Sequence, residues 1–73
     1  MEQTQLILVY DVLFELDDRE QGILKLYYWA GFTEEEIADS YQISQPRIHQ
    51  IKERALEKCK KLIEEKQSFA IIA

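Results

Sequence analysis

The sequence predicts an all-α fold, a small bundle of about four helices. Three observations carry the prediction. Helix breakers are scarce, with two glycines and one proline in 73 residues, which leaves little room for turns. Glu, Lys, Leu, Ile and Gln, all compatible with helix, are abundant. Apolar residues recur at three- and four-residue spacing between recognisable helix-start signals.

The length allows one domain, spanning 1–73. A chain this short buries only ~60% of its unfolded surface, so its stability is modest. A single cysteine excludes an internal disulfide, and no Cys/His cluster offers a structural metal site. Packing alone must hold the core, as in a cytosolic protein. The longest apolar run, Leu6 to Tyr10, falls far short of the ~18 residues that span a bilayer. The opening residues carry Glu2 and no basic residue, unlike a secretory leader.

Residues 4–16 form the first predicted helix. Leu6, Val9, Tyr10 and Leu13 share one face, which is expected to meet the core. Leu8, Val12 and Phe14 lie on other faces and are expected to form a partner interface. A strand is the rival reading, given Ile7, Val9 and Val12, but strict alternation is missing. Asp17 is the expected N-cap of the second helix, with Glu20 as its capping-box partner. That helix runs to about Ala30 with a stripe of Ile23, Leu24, Tyr27 and Tyr28. Gly22 within it suggests a close helix contact, and Gly31 suits the left-handed residue that ends a helix.

Thr33 caps the third helix, with Glu36 reciprocating and Phe32 and Ile37 spaced as a hydrophobic staple. Glu34, Glu35 and Glu36 suit the positive end of the helix dipole. After a short connection at Gln42 and Ile43, Ser44 caps a fourth helix with Pro46 in its first turn. This helix is expected to reach about Lys66. The apolar tail 67–73 either docks, through Phe69, Ile71 and Ile72, over the first helix or stays loose.

Residues 33–58 fit a helix-turn-helix. Ile37-Ala38 supplies the apolar and small pair at the helix crossing, and Tyr41 a further apolar residue. Ile43 is the buried turn residue, and Ile48 and Ile51 are the inward pair of the second helix. Ile37, Ala38, Ile43, Ile48 and Ile51 are expected to form one core with Leu24 and Tyr28. Gln42 stands where glycine is usual, because the turn favours positive φ. An ordinary helical hairpin is the competing reading.

Charge is divided unevenly. Residues 1–42 hold ten acids against two bases, whereas residues 43–63 hold six bases against two acids. The acidic total of −5 therefore conceals a basic segment able to meet nucleic acid. With Ile48 and Ile51 inward, Gln45, Pro46, Arg47, His49, Gln50, Lys52, Glu53 and Arg54 face outward. That is the part a recognition helix presents to the major groove. Gln50 can pair bidentately with adenine, and Arg54 and Lys58 can neutralise phosphates. One histidine, one cysteine and no glycine-rich loop argue against an enzyme, and no cofactor or small-molecule substrate is expected.

Leu16-Asp17-Asp18-Arg19-Glu20-Gln21-Gly22-Ile23-Leu24-Lys25-Leu26-Tyr27-Tyr28 resembles the opening of the C-terminal, upstream-promoter-recognising domain of bacterial sigma factors. Thr33 to Ala38 and Ile43 to Lys58 resemble its helix-turn-helix, the stretch from Arg47 to Lys58 being the most diagnostic. That stretch resembles both primary and flagellar-type factors, and the whole match spans about residues 14–66. The resemblance implies a bacterial or phage cytoplasmic protein that binds double-stranded promoter DNA and the β flap of core RNA polymerase. It places Gln45, Pro46 and Gln50 at base-reading positions and Arg47, His49 and Arg54 near the phosphate backbone, where Lys52 and Lys58 are also expected. Primary factors carry Arg and Glu at the first two reading positions. Gln45 and Pro46 therefore imply a different target. The rest of a complete sigma factor is not in this sequence, so a small regulator or one domain of a longer chain is expected. Alternatives are a protein-interaction module that does not read DNA, and a homodimer through the first helix.

Overall fold

A computed structural model describes the backbone of residues 3–72 and the side chains of residues 6–65. Helix α1 spans Gln3–Val12 and passes into a 3₁₀ turn, Leu13–Glu15. Helix α2, Asp18–Leu24, continues as a π-helical segment, Lys25–Trp29. Helix α3 spans Glu34–Tyr41 and α4 spans Gln45–Ile72. No strand occurs among the described residues.

The caps lie where the sequence places them. The Asp17 and Glu20 backbone N–H groups donate to each other's carboxylates, at 3.3 and 2.8 Å respectively. The hydrogen bond from the Glu20 backbone holds the Asp17 carboxyl below its ordinary pKa. Thr33 and Glu36 form the same reciprocal box at the start of α3. Gly31 takes φ +78° after the π segment, and the Phe32 N–H donates to the Leu26 carbonyl.

The π segment is a departure from the expected continuous α-helix. The Ala30 N–H reaches back five residues to the Lys25 carbonyl at 3.0 Å. Tyr27 and Tyr28 stand here with rings edge-to-face, 4.8 Å apart, and turn to different parts of the interior.

Among the described residues there are two core clusters where one was expected. Ile23, Ile37, Ala38, Ile48 and Ile51 form the first, with Tyr27, Tyr41 and Ile43 against it. Val9, Val12, Leu13, Leu16, Leu24, Ala55 and Cys59 form the second, with Tyr28 against it. Leu24 and Tyr28 thus belong with α1. Consecutive helical residues point about 100° apart, so Ile23 and Leu24 feed separate clusters. Helix α4 is the spine shared by both.

Helix α1 is rotated from the expected register. Val9, Val12, Leu13 and Leu16 are buried, while Tyr10 is exposed. That set is also an i, i+3, i+4, i+7 face. It includes Leu16, at the link to α2, which packs in the same cluster as Leu24, Ala55 and Cys59. The α4 backbone continues helically past Lys66 to Ile72. The expected docking of Phe69, Ile71 and Ile72 lies outside the described side chains.

Gly22 sits where α2 passes α3, and a Cβ there would run into the Tyr41 hydroxyl. Ala38, 5% exposed, occupies the crossing of α3 and α4. Ala38→Leu overpacks that crossing and is expected to cost about 1–3 kcal/mol. Thermal unfolding unchanged from wild type would contradict this packing.

Candidate nucleic-acid interface

The angle between α3 and α4 is set by three residues. Gln42 adopts φ 57°, ψ 42°, the left-handed conformation the turn requires. The Ile43 N–H donates back to the Ala38 carbonyl at 3.1 Å and thereby closes α3. Ser44 Oγ then accepts from the Arg47 N–H at 3.3 Å and opens α4. Ile37 and Ile48, both fully buried, and Ile51, nearly so, fasten the two helices together.

The opposite face of α4 is open. Gln45, Pro46, Arg47, His49, Gln50, Glu53 and Arg54 are all exposed. They cover the first turns of a helix whose inward residues are buried, the arrangement in which a recognition helix meets base edges. The Arg47 guanidinium donates to Gln50 Oε1 at 3.4 Å, a long contact that bidentate pairing with adenine would break.

Two expected phosphate contacts are differently occupied. Lys52 is 7% exposed, and its ammonium lies 2.9 Å from Glu34 Oε2 and 4.2 Å from the Tyr27 ring centroid. Burial pushes the Lys52 pKa down, but the Glu34 hydrogen bond and charge leave it above the ordinary value. Lys52 is therefore a structural cation, turned inward. Lys58 remains more than half exposed, but its ammonium donates to Glu20 Oε2 at 2.8 Å and ties α4 to α2. That hydrogen bond raises the Lys58 pKa.

His49 is also engaged. Its Nδ1 lies 2.8 Å from Glu34 Oε2, the oxygen that also receives Lys52. Hydrogen bonds from Lys52 and then His49 hold the Glu34 carboxyl below its ordinary pKa, against burial. Glu53 Oε1 also approaches both residues, at 3.8 Å from Lys52 Nζ and 4.0 Å from His49 Nε2. Glu34, which the sequence marks only as a helix-start charge, is thus the hub of the cluster. A signal was present: position 52 follows Ile48 by one turn on the inward stripe, and a lysine there needs an acid.

The expected partner interface is redrawn. Val12 is buried in the core at 1% exposure and Leu8 is half-buried, so only Phe14 of the three stands free, at 64%. The exposed stripe is instead Ile7, Tyr10 and Phe14, spaced i, i+3, i+7, with Trp29 beside it. Tyr10 meets the Phe14 and Trp29 rings edge-on, each at 5.9 Å, and the Lys25 ammonium lies 5.6 Å from the Phe14 centroid. Leu6, Ile7, Tyr10, Asp11 and Trp29 line a shallow depression there. Among the described residues no His/Cys/Asp/Glu group could hold a metal, and no helix is long and apolar enough to cross a membrane.

A helix-turn-helix with its second helix bare on the outer face defines a DNA-binding domain. The family model described as Sigma-70, region 4 matches residues 12–61. The match includes both capping boxes, the turn and most of α4, and the chain belongs to that family. The family is a DNA-binding, transcription-regulating one rather than a catalytic one. No curated protein and no solved structure matches the chain.

Proposed function

We propose that this protein is a transcription regulator that places the start of α4 in the major groove of double-stranded promoter DNA. The observation that carries the reading is the exposed run from Gln45 to Arg54 on the face opposite buried Ile48 and Ile51. Gln45, Pro46 and Gln50 are the base-facing residues. Arg47, Arg54, His49 and Lys58 are the backbone-facing ones, the last two after release from their carboxylates. Proline offers a base no hydrogen bond, which supports a target unlike that of primary factors. Core RNA polymerase, through its β flap, is the proposed protein partner, and the cytoplasm the proposed compartment. The aromatic stripe of α1 suits such a contact or a second copy of the chain.

DNA binding should be weak and salt-sensitive. About four phosphate contacts, each contributing ~0.9, give a slope of log affinity against log salt of about −3 to −5. Arg54→Ala is expected to weaken all sequences alike, and Gln50→Ala to narrow the gap between selected and random sites. Fluorescence anisotropy across a salt series, on sites chosen by random-sequence selection, measures both. Should neither variant alter affinity at low salt, the acidic first 42 residues and the aromatic stripe favour the second reading. That reading is a module that engages polymerase or another factor without reading DNA, and a pull-down with core polymerase tests it.

A further inference from the structure

Glu34 stands at the first turn of α3 and spends one carboxylate oxygen, Oε2, on two residues of α4. Lys52 is buried, so that half of the contact is structural. His49 is different. Its side chain is 55% exposed, on the turn that also carries Gln45 and Gln50, yet Glu34 holds its Nδ1 at 2.8 Å. An ionised carboxylate only accepts, so Nδ1 carries the proton and donates. A phosphate oxygen would make the same demand on the same N–H.

We propose that Glu34 is an internal stand-in for a DNA phosphate, which withholds His49 from the backbone and so limits the affinity of the recognition helix. The inference rests on the DNA-binding reading above. Engagement of DNA then exchanges one anionic oxygen for another at Nδ1. Glu34 keeps Lys52 in either state, because Lys52 has no other route to a full countercharge than the more exposed Glu53, 3.8 Å away. A carboxylate at this edge also repels the approaching phosphates, and Glu53 adds to that repulsion.

Glu34→Gln removes the charge and keeps the shape and an acceptor for Lys52. It is expected to tighten DNA binding about 3- to 10-fold at low salt. His49→Ala in the wild type should weaken binding by a smaller factor than in the Glu34→Gln background, since in the wild type the lost Glu34 contact offsets the phosphate contact that His49 gains. In the Glu34→Gln background the same change should abolish most of the gain. This cycle separates release of His49 from simple loss of repulsion. A gain that survives His49→Ala overturns the proposal, as does weaker or unchanged binding by Glu34→Gln. Wild type that fails to bind any DNA at low salt, alone and in all variants, defeats the DNA-binding reading along with this one. Circular dichroism checks that each variant is folded. If Glu34→Gln does not fold, the unmodified protein serves. Its His49 imidazole resonances should shift on saturation with DNA, and resonances that stay fixed would overturn the inference.

Discussion

Trimming Ile48 to alanine is expected to lower the free energy of unfolding by about 2–5 kcal/mol. Ile48 is fully buried and stands between Ile23, Ile37 and Ile51, where three helices meet. The loss combines the transfer term for the missing methyl and methylene groups with a cavity that the surrounding side chains only partly fill. A domain of this length has a total stability of about 4–11 kcal/mol, at 0.05–0.15 kcal/mol per residue. The variant is therefore expected to be partly unfolded at physiological temperature and to lose DNA binding for that reason. Urea titration measures the effect, and a midpoint within error of wild type would refute the placement of Ile48.

Removing Glu34 outright comes next in size. Glu34→Ala leaves the Lys52 ammonium, whose side chain is 8% exposed, with only the more distant and more exposed Glu53 carboxylate at 3.8 Å. Stranding one member of a buried pair costs about 3–5 kcal/mol. Glu34 is itself 17% exposed, which brings the expected loss to about 2–4 kcal/mol on the same scale. Replacing both partners, as Glu34→Ala with Lys52→Met, should recover most of it, because no uncompensated charge remains.

The same pair sets a pH dependence. The Glu34 carboxyl is held below its unfolded pKa of 4.5 by Lys52 and His49. Its contribution is therefore full above that value and is lost as pH falls through the lower folded value. Lys52 is shifted upward from 10.5, so its contribution is present below that value and is lost as pH rises through the higher folded one. The double variant should consequently show a flatter stability profile at both extremes. Equal steepness in the two proteins would count against the pair.

Much of this architecture was legible in the residues. Asp17, Thr33, Ser44, Gly31 and Pro46 are local signals whose physics acts within one turn, and each stands where its chemistry requires. The helix-turn-helix was readable because Ile37, Ala38, Ile43, Ile48 and Ile51 have fixed offsets. The register of α1 was not. With Leu6 to Tyr10 all apolar, two faces satisfied the same helical period, and the choice between them lies in tertiary packing against Leu24, Ala55 and Cys59. The π segment has no period of its own to betray it. The Glu34–His49 and Glu20–Lys58 contacts span 15 and 38 residues, and charge composition is silent about such pairings.

The division of the interior into two clusters has a kinetic meaning. In the cluster around the turn, Ile37 and Ile48 are 11 positions apart, whereas Leu13 and Cys59 of the other are separated by 46. Closing the longer loop costs about 1 kcal/mol more in chain entropy. The hairpin of α3 and α4 can therefore assemble early, with Ile23 joining it, while α1 docks late onto a spine already formed. In the native state the order reverses. Amide protons of α1 should exchange with solvent through a partial opening that leaves the DNA-binding half intact. The end of the molecule that carries the aromatic stripe is thus also the end that can let go without unfolding the rest.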